Sequence, residues 1–88
     1  MDEDLARQLI RRKLQDGRLP RHRAVDISVA PGDGQTCDGC GSPIAKNQQI
    51  VWAVATRDWM SIQFHDTCFQ IWDAERSLIR KRQGESAG

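Results

Sequence analysis

Two short pairs of side chains constrain this chain more than anything else in it. Cys37-Asp38-Gly39-Cys40 and His65-Asp66-Thr67-Cys68 each hold two metal-binding residues separated by two others. Together they use all three cysteines and one of the two histidines. Thiolate sulfur and imidazole nitrogen, four to a set, are the ligands of a tetrahedral zinc site, and four protein ligands make such a site closed and structural. Three thiolates make the set soft, which suits zinc over magnesium or calcium. The pattern predicts that Cys37, Cys40, His65 and Cys68 hold one Zn2+ per chain. The plainer reading is a buried Cys68 and a core His65 that share a helix turn, and it leaves the matched spacings unexplained. A redox Cys-x-x-Cys needs a βαβ setting that the sequence lacks, and it leaves His65 and Cys68 idle.

Length agrees with a metal. A chain of 88 residues with 39% hydrophobic content buries a modest core, and domains of this size often need a staple. We read residues 1–88 as one domain. No apolar run approaches the roughly 20 residues of a membrane span. The acidic opening Met1-Asp2-Glu3-Asp4 does not read as a secretory signal. An odd cysteine count with ligand spacing favours a reducing compartment, so the expected location is cytoplasmic. Thirteen basic and twelve acidic side chains give a formal charge of +1. Three thiolates and a zinc ion bring the total to zero, which gives no long-range pull toward nucleic acid or anionic lipid.

Taken in order, residues 2–16 predict an amphipathic helix with Leu5, Leu9, Ile10 and Leu14 as its apolar stripe. Asp2 or Asp4 caps it, and Arg11, Arg12 and Lys13 suit its far end as a solvated face. Gly17 ends it and Pro20 prevents its return. Residues 17–36 read as an extended linker, with Val25, Ile27 and Val29 alternating in a short half-buried strand. Ala30-Pro31-Gly32-Asp33-Gly34 lacks the Lys-Ser/Thr of a phosphate loop and reads as a plain turn. His22, among Arg21 and Arg23, reads as a loop residue rather than a ligand.

Residues 37–82 form the expected zinc module. It opens on a knuckle in which Gly39 and Gly41 supply positive φ. A β-hairpin follows, from Gln49–Thr56 and Trp59–Phe64, turning at Arg57-Asp58. Ile50, Trp52 and Val54 share one face of it, and Met60, Ile62 and Phe64 share one side of the second strand. The tryptophans read as mostly core, with Trp59 the exposed one. A helix capped by Asp66 runs to about residue 82. His65 and Cys68 straddle its first turn, where the positive helix end favours a thiolate. Cys68, Ile71, Trp72, Leu78 and Ile79 form its apolar side, with Glu75 at the edge. Arg80, Lys81 and Arg82 close it, and residues 83–88 read as a disordered tail.

Cys37-x-x-Cys40, Pro43-Ile44, a hairpin and Phe64-His65-x-x-Cys68-Phe69 resemble the first zinc module of a LIM domain. More broadly they are similar to treble-clef zinc domains, in which a knuckle, a hairpin and a helix supply four ligands. The resemblance covers about residues 37–80 and implies Cys37, Cys40, His65 and Cys68 as the ligands. A LIM domain carries a further cysteine where Ile71 stands, and no second set of ligands follows here. The opening from Leu9 to Pro20 is not LIM. The whole chain looks like a group of small uncharacterised bacterial zinc-binding proteins that join such a helix to this knuckle, which implies fold and metal rather than a task. The expected class is α+β: a small treble-clef-like zinc domain preceded by an amphipathic helix.

Four functions compete. The favoured one is a non-catalytic zinc-binding module that binds a protein partner, as LIM-like domains often do. Nucleic-acid binding would draw on the basic segments 11–13, 18–23 and 80–82, against a near-neutral total charge. A thiolate-based redox or zinc sensor would draw on the helix end beside Cys68. An enzyme is disfavoured, because a catalytic zinc keeps a position open for water and the deaminase His-x-Glu…Pro-Cys-x-x-Cys order is absent.

Overall fold

Glu3 and Asp4 occupy the first turn of α1 (Glu3–Gln15), and Arg12 and Lys13 its last, which is the charge order the helix dipole favours. The computed structural model describes the backbone of residues 3–55 and 61–87 and the side chains of 3–54 and 61–79. Asp2, the alternative cap, lies outside those residues. So do Thr56, the Arg57-Asp58 turn, Trp59 and Met60. At Gly17 the chain leaves the helix as expected. Arg18 N–H donates to Lys13 O at 2.8 Å and Gly17 N–H to Leu14 O at 3.4 Å, the paired bonds of a glycine-terminated helix. Arg21 then folds back, and its guanidinium donates to the Leu14 and Gln15 carbonyls at 3.0 and 3.2 Å.

The buried stripe of α1 is Ala6, Ile10 and Leu14, not the all-leucine and isoleucine stripe predicted. Leu5 is exposed and Leu9 half-buried. The helix is rotated so that Ala6 is buried, beside a groove it shares with Cys40, Pro43 and His65, while α1 packs along α2 (Asp66–Ala87). Arg11 is not simply solvated either. It donates to Glu75 at 2.7 Å, with Arg7 3.8 Å from the same oxygen. Glu75, expected at an edge, is only 6% exposed.

β1 (Ala24–Pro31), β2 (Gln49–Ala55) and β3 (Ser61–His65) form one antiparallel sheet in the order β1-β2-β3. Ile27 lies opposite Ala53 and Ala53 opposite Ile62, while Val29, Val51 and Phe64 form the next row on the same face. α2 packs over β3 and β2, not over β1. Val51, Ala53, Ile62 and Phe64 are therefore buried, whereas Val25, Ile27 and Val29 are exposed. β1 is a full strand of the sheet, but the half-burial expected for it is not found.

Under α2 the core closes around Trp72. Its ring stacks on Phe64 with centroids 5.5 Å apart, Phe69 sits at 5.8 Å, and its indole N–H donates to Pro20 O at 3.0 Å. That bond ties the segment after α1 to the middle of α2 and satisfies the one polar atom of a fully buried ring. Trp52 is only half-buried, and its indole reaches Gln63 Oε1 at 3.3 Å. Cys68, Ile71 and Trp72 lie on the buried side of α2, while Leu78 is exposed. The helix continues to Ala87, past the end near 82 and through the tail read as disordered. A glycine inside a helix costs about 1 kcal/mol, which leaves room for one at Gly84. No helix among the described residues is long and apolar enough to cross a membrane.

Candidate metal centre

The knuckle is a tight turn locked by its own backbone. Gly41 N–H donates to Cys37 O at 2.9 Å, and Cys37 N–H to Ser42 O at 3.0 Å. Gly41 has φ of 81°, a conformation that side chains other than glycine's resist. Gly39 serves differently from expectation. Its φ is not positive, and its role is space. A β-carbon there would stand 3.1 Å from Ile10 Cδ1 and 3.2 Å from Phe64 Cδ1. The knuckle is thus pressed onto α1 and β3 by a residue with no side chain.

Asp38 fastens the same turn to the sheet. Its N–H donates to Gln63 O at 2.8 Å, and its Oδ2 accepts from Gln63 N–H at 2.8 Å. Lys13 of α1 donates to the Asp38 carbonyl at 3.0 Å. Gln63 Nε2 completes the join by donating to Thr36 O at 3.0 Å. None of these contacts is readable from ligand spacing, because each partner is distant in sequence.

The second pair sits where strand becomes helix. His65 is the last residue of β3 and Cys68 belongs to the first turn of α2, so only Cys68 is on the helix. Asp66 opens the helix, and its carboxylate accepts from Gln70 Nε2 at 3.4 Å. The four ligand atoms of Cys37, Cys40, His65 and Cys68 all lie within 4.8 Å of one another. His65 Nδ1 is 3.5 Å from Cys40 Sγ and 3.9 Å from Cys68 Sγ. Tetrahedral zinc with ordinary bond lengths places nitrogen and sulfur about 3.6 Å apart and two sulfurs about 3.8 Å apart. The donor set and its spacing fit a metal ion. His22 is half-buried and takes no part.

The histidine is oriented for the task. Its Nε2 lies 3.1 Å from Pro43 O, which can only accept, so Nε2 carries the proton and Nδ1 turns its lone pair to the sulfurs. A carbonyl partner of this kind fixes the tautomer and raises ligand basicity. His65 N–H also donates to Cys37 Sγ at 3.5 Å.

Without a cation Cys37 and Cys68 share a proton unequally. The Cys68 thiol, donating to Cys37, holds the Cys37 thiol down from 9.0 to about 4, helped by backbone N–H groups of Cys40, His65 and Gly39 and opposed by burial. The same shared bond, burial and the nearby Cys37 and Cys40 charges push the Cys68 thiol far up. Cys37 is thereby favoured as the thiolate and Cys68 as the thiol, an arrangement that a bound cation would stabilise. Cys37, His65 and Cys68 are buried, while Cys40 is half-buried. Cys40 and His65 border a groove of about 270 Å³ beside Leu5, Leu9 and Pro43.

Comparison with family models, with curated proteins and with solved structures found no match to this chain. What is established is a small α+β fold of two helices and a three-stranded antiparallel sheet, with a Cys3His cluster placed to hold a metal ion.

Proposed function

We propose that this chain is a non-catalytic zinc-binding domain with a structural Cys3His site, working in the cytoplasm as a protein-interaction module. The observation that carries the reading is the closed cluster of four ligands, three of them buried and the histidine held by Pro43. Zinc is favoured by three thiolates and one imidazole. When bound, the ion neutralises the thiolates and fixes the knuckle to α2. The order of knuckle, hairpin and ligand-bearing helix supports a treble-clef, half-LIM-like architecture of the kind expected in the small bacterial proteins it resembles.

Four protein ligands leave no place for substrate or water, which argues against a catalytic role. Nucleic-acid binding is weakened by how the basic residues are used. Arg11 is held by Glu75 and Arg21 by the end of α1. A second reading, a thiolate-based redox or zinc sensor, draws on the half-exposed Cys40 beside its groove.

One experiment separates the two. The chain is purified without added metal, metal per chain is measured, and free thiols are counted before and after a chelator. One zinc with masked thiols supports the structural reading. Substoichiometric metal, or a thiol that reacts while metal is bound, sinks it in favour of the sensor.

A further inference from the structure

Three of the four side chains in the cluster are shut off from solvent and one is not. Cys37 is 1% exposed, Cys68 0% and His65 5%, whereas Cys40 is half-buried. The difference follows from what surrounds each. Cys68 sits in the first turn of α2 and packs, with Cys37, among the residues of the hydrophobic core. Cys37 Sγ also takes the His65 N–H at 3.5 Å. Cys40 stands where the knuckle meets the groove beside α1.

That groove narrows what can reach the Cys40 sulfur. Leu5, Ala6 and Leu9 of α1 line it with Pro43, Cys40 and His65. Its volume of about 270 Å³ falls below the roughly 300–1,000 Å³ of pockets that hold drug-sized ligands. It is the scale of a molecule of a few heavy atoms, not of a peptide or a bulky chelator. Apolar walls make a carboxylate or an ammonium group costly to bring in. The sulfur-rich set beyond them is soft and prefers sulfur to oxygen as a competitor. A small neutral thiol meets each condition, being uncharged in transit and soft on arrival. A second cavity touches the cluster at His65 alone, between Gln48, Gln49, Asp66 and Thr67. Its lining is polar, and it reaches no sulfur.

We propose that the groove is the port of the metal centre, through which a small neutral thiol enters, takes the place of Cys40 and so carries zinc in or out. The exchange balances without an oxidant. The proton of the incoming thiol passes to Cys40 Sγ as the new sulfur–zinc bond forms and the bond from Cys40 breaks. Cys37, His65 and Cys68 keep their hold during this step, because no described cavity leads to either buried sulfur. The port rests on the zinc reading and adds to it the way the metal is exchanged.

The test uses the full, zinc-loaded chain, with 2-mercaptoethanol as the thiol and a bulky chromophoric chelator to collect released metal. The transfer rate should rise in proportion to the thiol. Leu5 is 54% exposed, so Leu5→Trp fills the groove from the surface. It should slow the thiol-dependent transfer by roughly tenfold, with zinc affinity and circular dichroism unchanged. Leu5→Ala should transfer at least as fast as the wild type. Gln49→Trp, at an exposed position of the second cavity, should match the wild type. A brief pulse of iodoacetamide during exchange, read by peptide mass, should mark Cys40 ahead of Cys37 and Cys68. A rate indifferent to thiol, a Leu5→Trp chain as fast as the wild type, a Gln49→Trp chain slowed as much, or another cysteine marked first overturns the port. Metal per chain, and free thiols counted with no thiol added, are read on the same samples. A chain that holds no zinc ends the zinc reading and the port with it. A chain that holds zinc with masked thiols and ignores 2-mercaptoethanol ends the port alone.

Discussion

Gly39 and Glu75 show how single residues carry this fold. A methyl group at Gly39 would stand 3.1 Å from Ile10 and 3.2 Å from Phe64, tighter than most packing contacts, so those side chains would have to shift. Gly39→Ala should therefore cost about 1–3 kcal/mol, the usual range for overpacking. In a domain of this size that lowers the thermal midpoint of the metal-loaded protein by roughly 4–8 °C per kcal/mol. An unchanged midpoint would show that the knuckle stands off from α1. Glu75 is a buried carboxylate whose main partner, Arg11, is 64 positions away. Arg11→Ala should cost about 1–2 kcal/mol in urea denaturation, since a charged hydrogen bond is lost and a buried acceptor is left to Arg7 alone. Adding Glu75→Leu should recover most of that loss. If the two changes simply add, the pair is not coupled. The Cys3His cluster was legible because the spacing within each of its two pairs is local. Glu75 was not, because an acid on an apolar helix side names no partner until the two helices are placed side by side.

At the level of elements, α1 was correctly read as a helix but misread in its rotation. Four large aliphatic side chains suggested the stripe, yet the structure buries Ala6 and leaves Leu5 out. Periodicity finds a helix readily. It does not say which of two adjacent apolar rows is buried, and here the row through Ala6 is the buried one. Ala6→Leu should accordingly destabilise by about 1–3 kcal/mol, while Leu5→Ser should stay within about 0.5 kcal/mol. Equal losses in chemical denaturation would mean that the sequence-based stripe was right after all. β1 carries a related lesson. Its alternation correctly signals a strand, but alternation cannot tell a face covered by a helix from one that no helix reaches. The knuckle glycines divide in the same way, with Gly41 needed for its φ and Gly39 for room that only tertiary packing defines.

On the proposed zinc reading, metal binding and folding are one system for the whole molecule. Zinc binding in small modules is worth roughly 10–16 kcal/mol at neutral pH, comparable to or above the total stability of an ordinary domain, about 5–15 kcal/mol. Chelation should remove amide-exchange protection across residues 37–72, and a pattern left intact after verified metal loss would refute the coupling. Acid should act in the same direction. The Cys68 proton is held tightly in the metal-free cluster and must leave for sulfur to ligate. Binding thus releases at least one proton, and apparent affinity should fall about tenfold for each proton released per unit decrease in pH. Competition with a chromophoric chelator across neutral pH checks this, and a flat profile would mean that no thiol proton is displaced. The Asp38 clamp on Gln63 has one more consequence. While the knuckle is seated, the outer edge of β3 is covered and admits no further strand. Metal withdrawal, by releasing residues 37–72, should expose that edge together with the apolar strands behind it. Stripped protein should then scatter light on standing where the loaded protein stays clear, and equal scattering from both would show that the knuckle shields nothing.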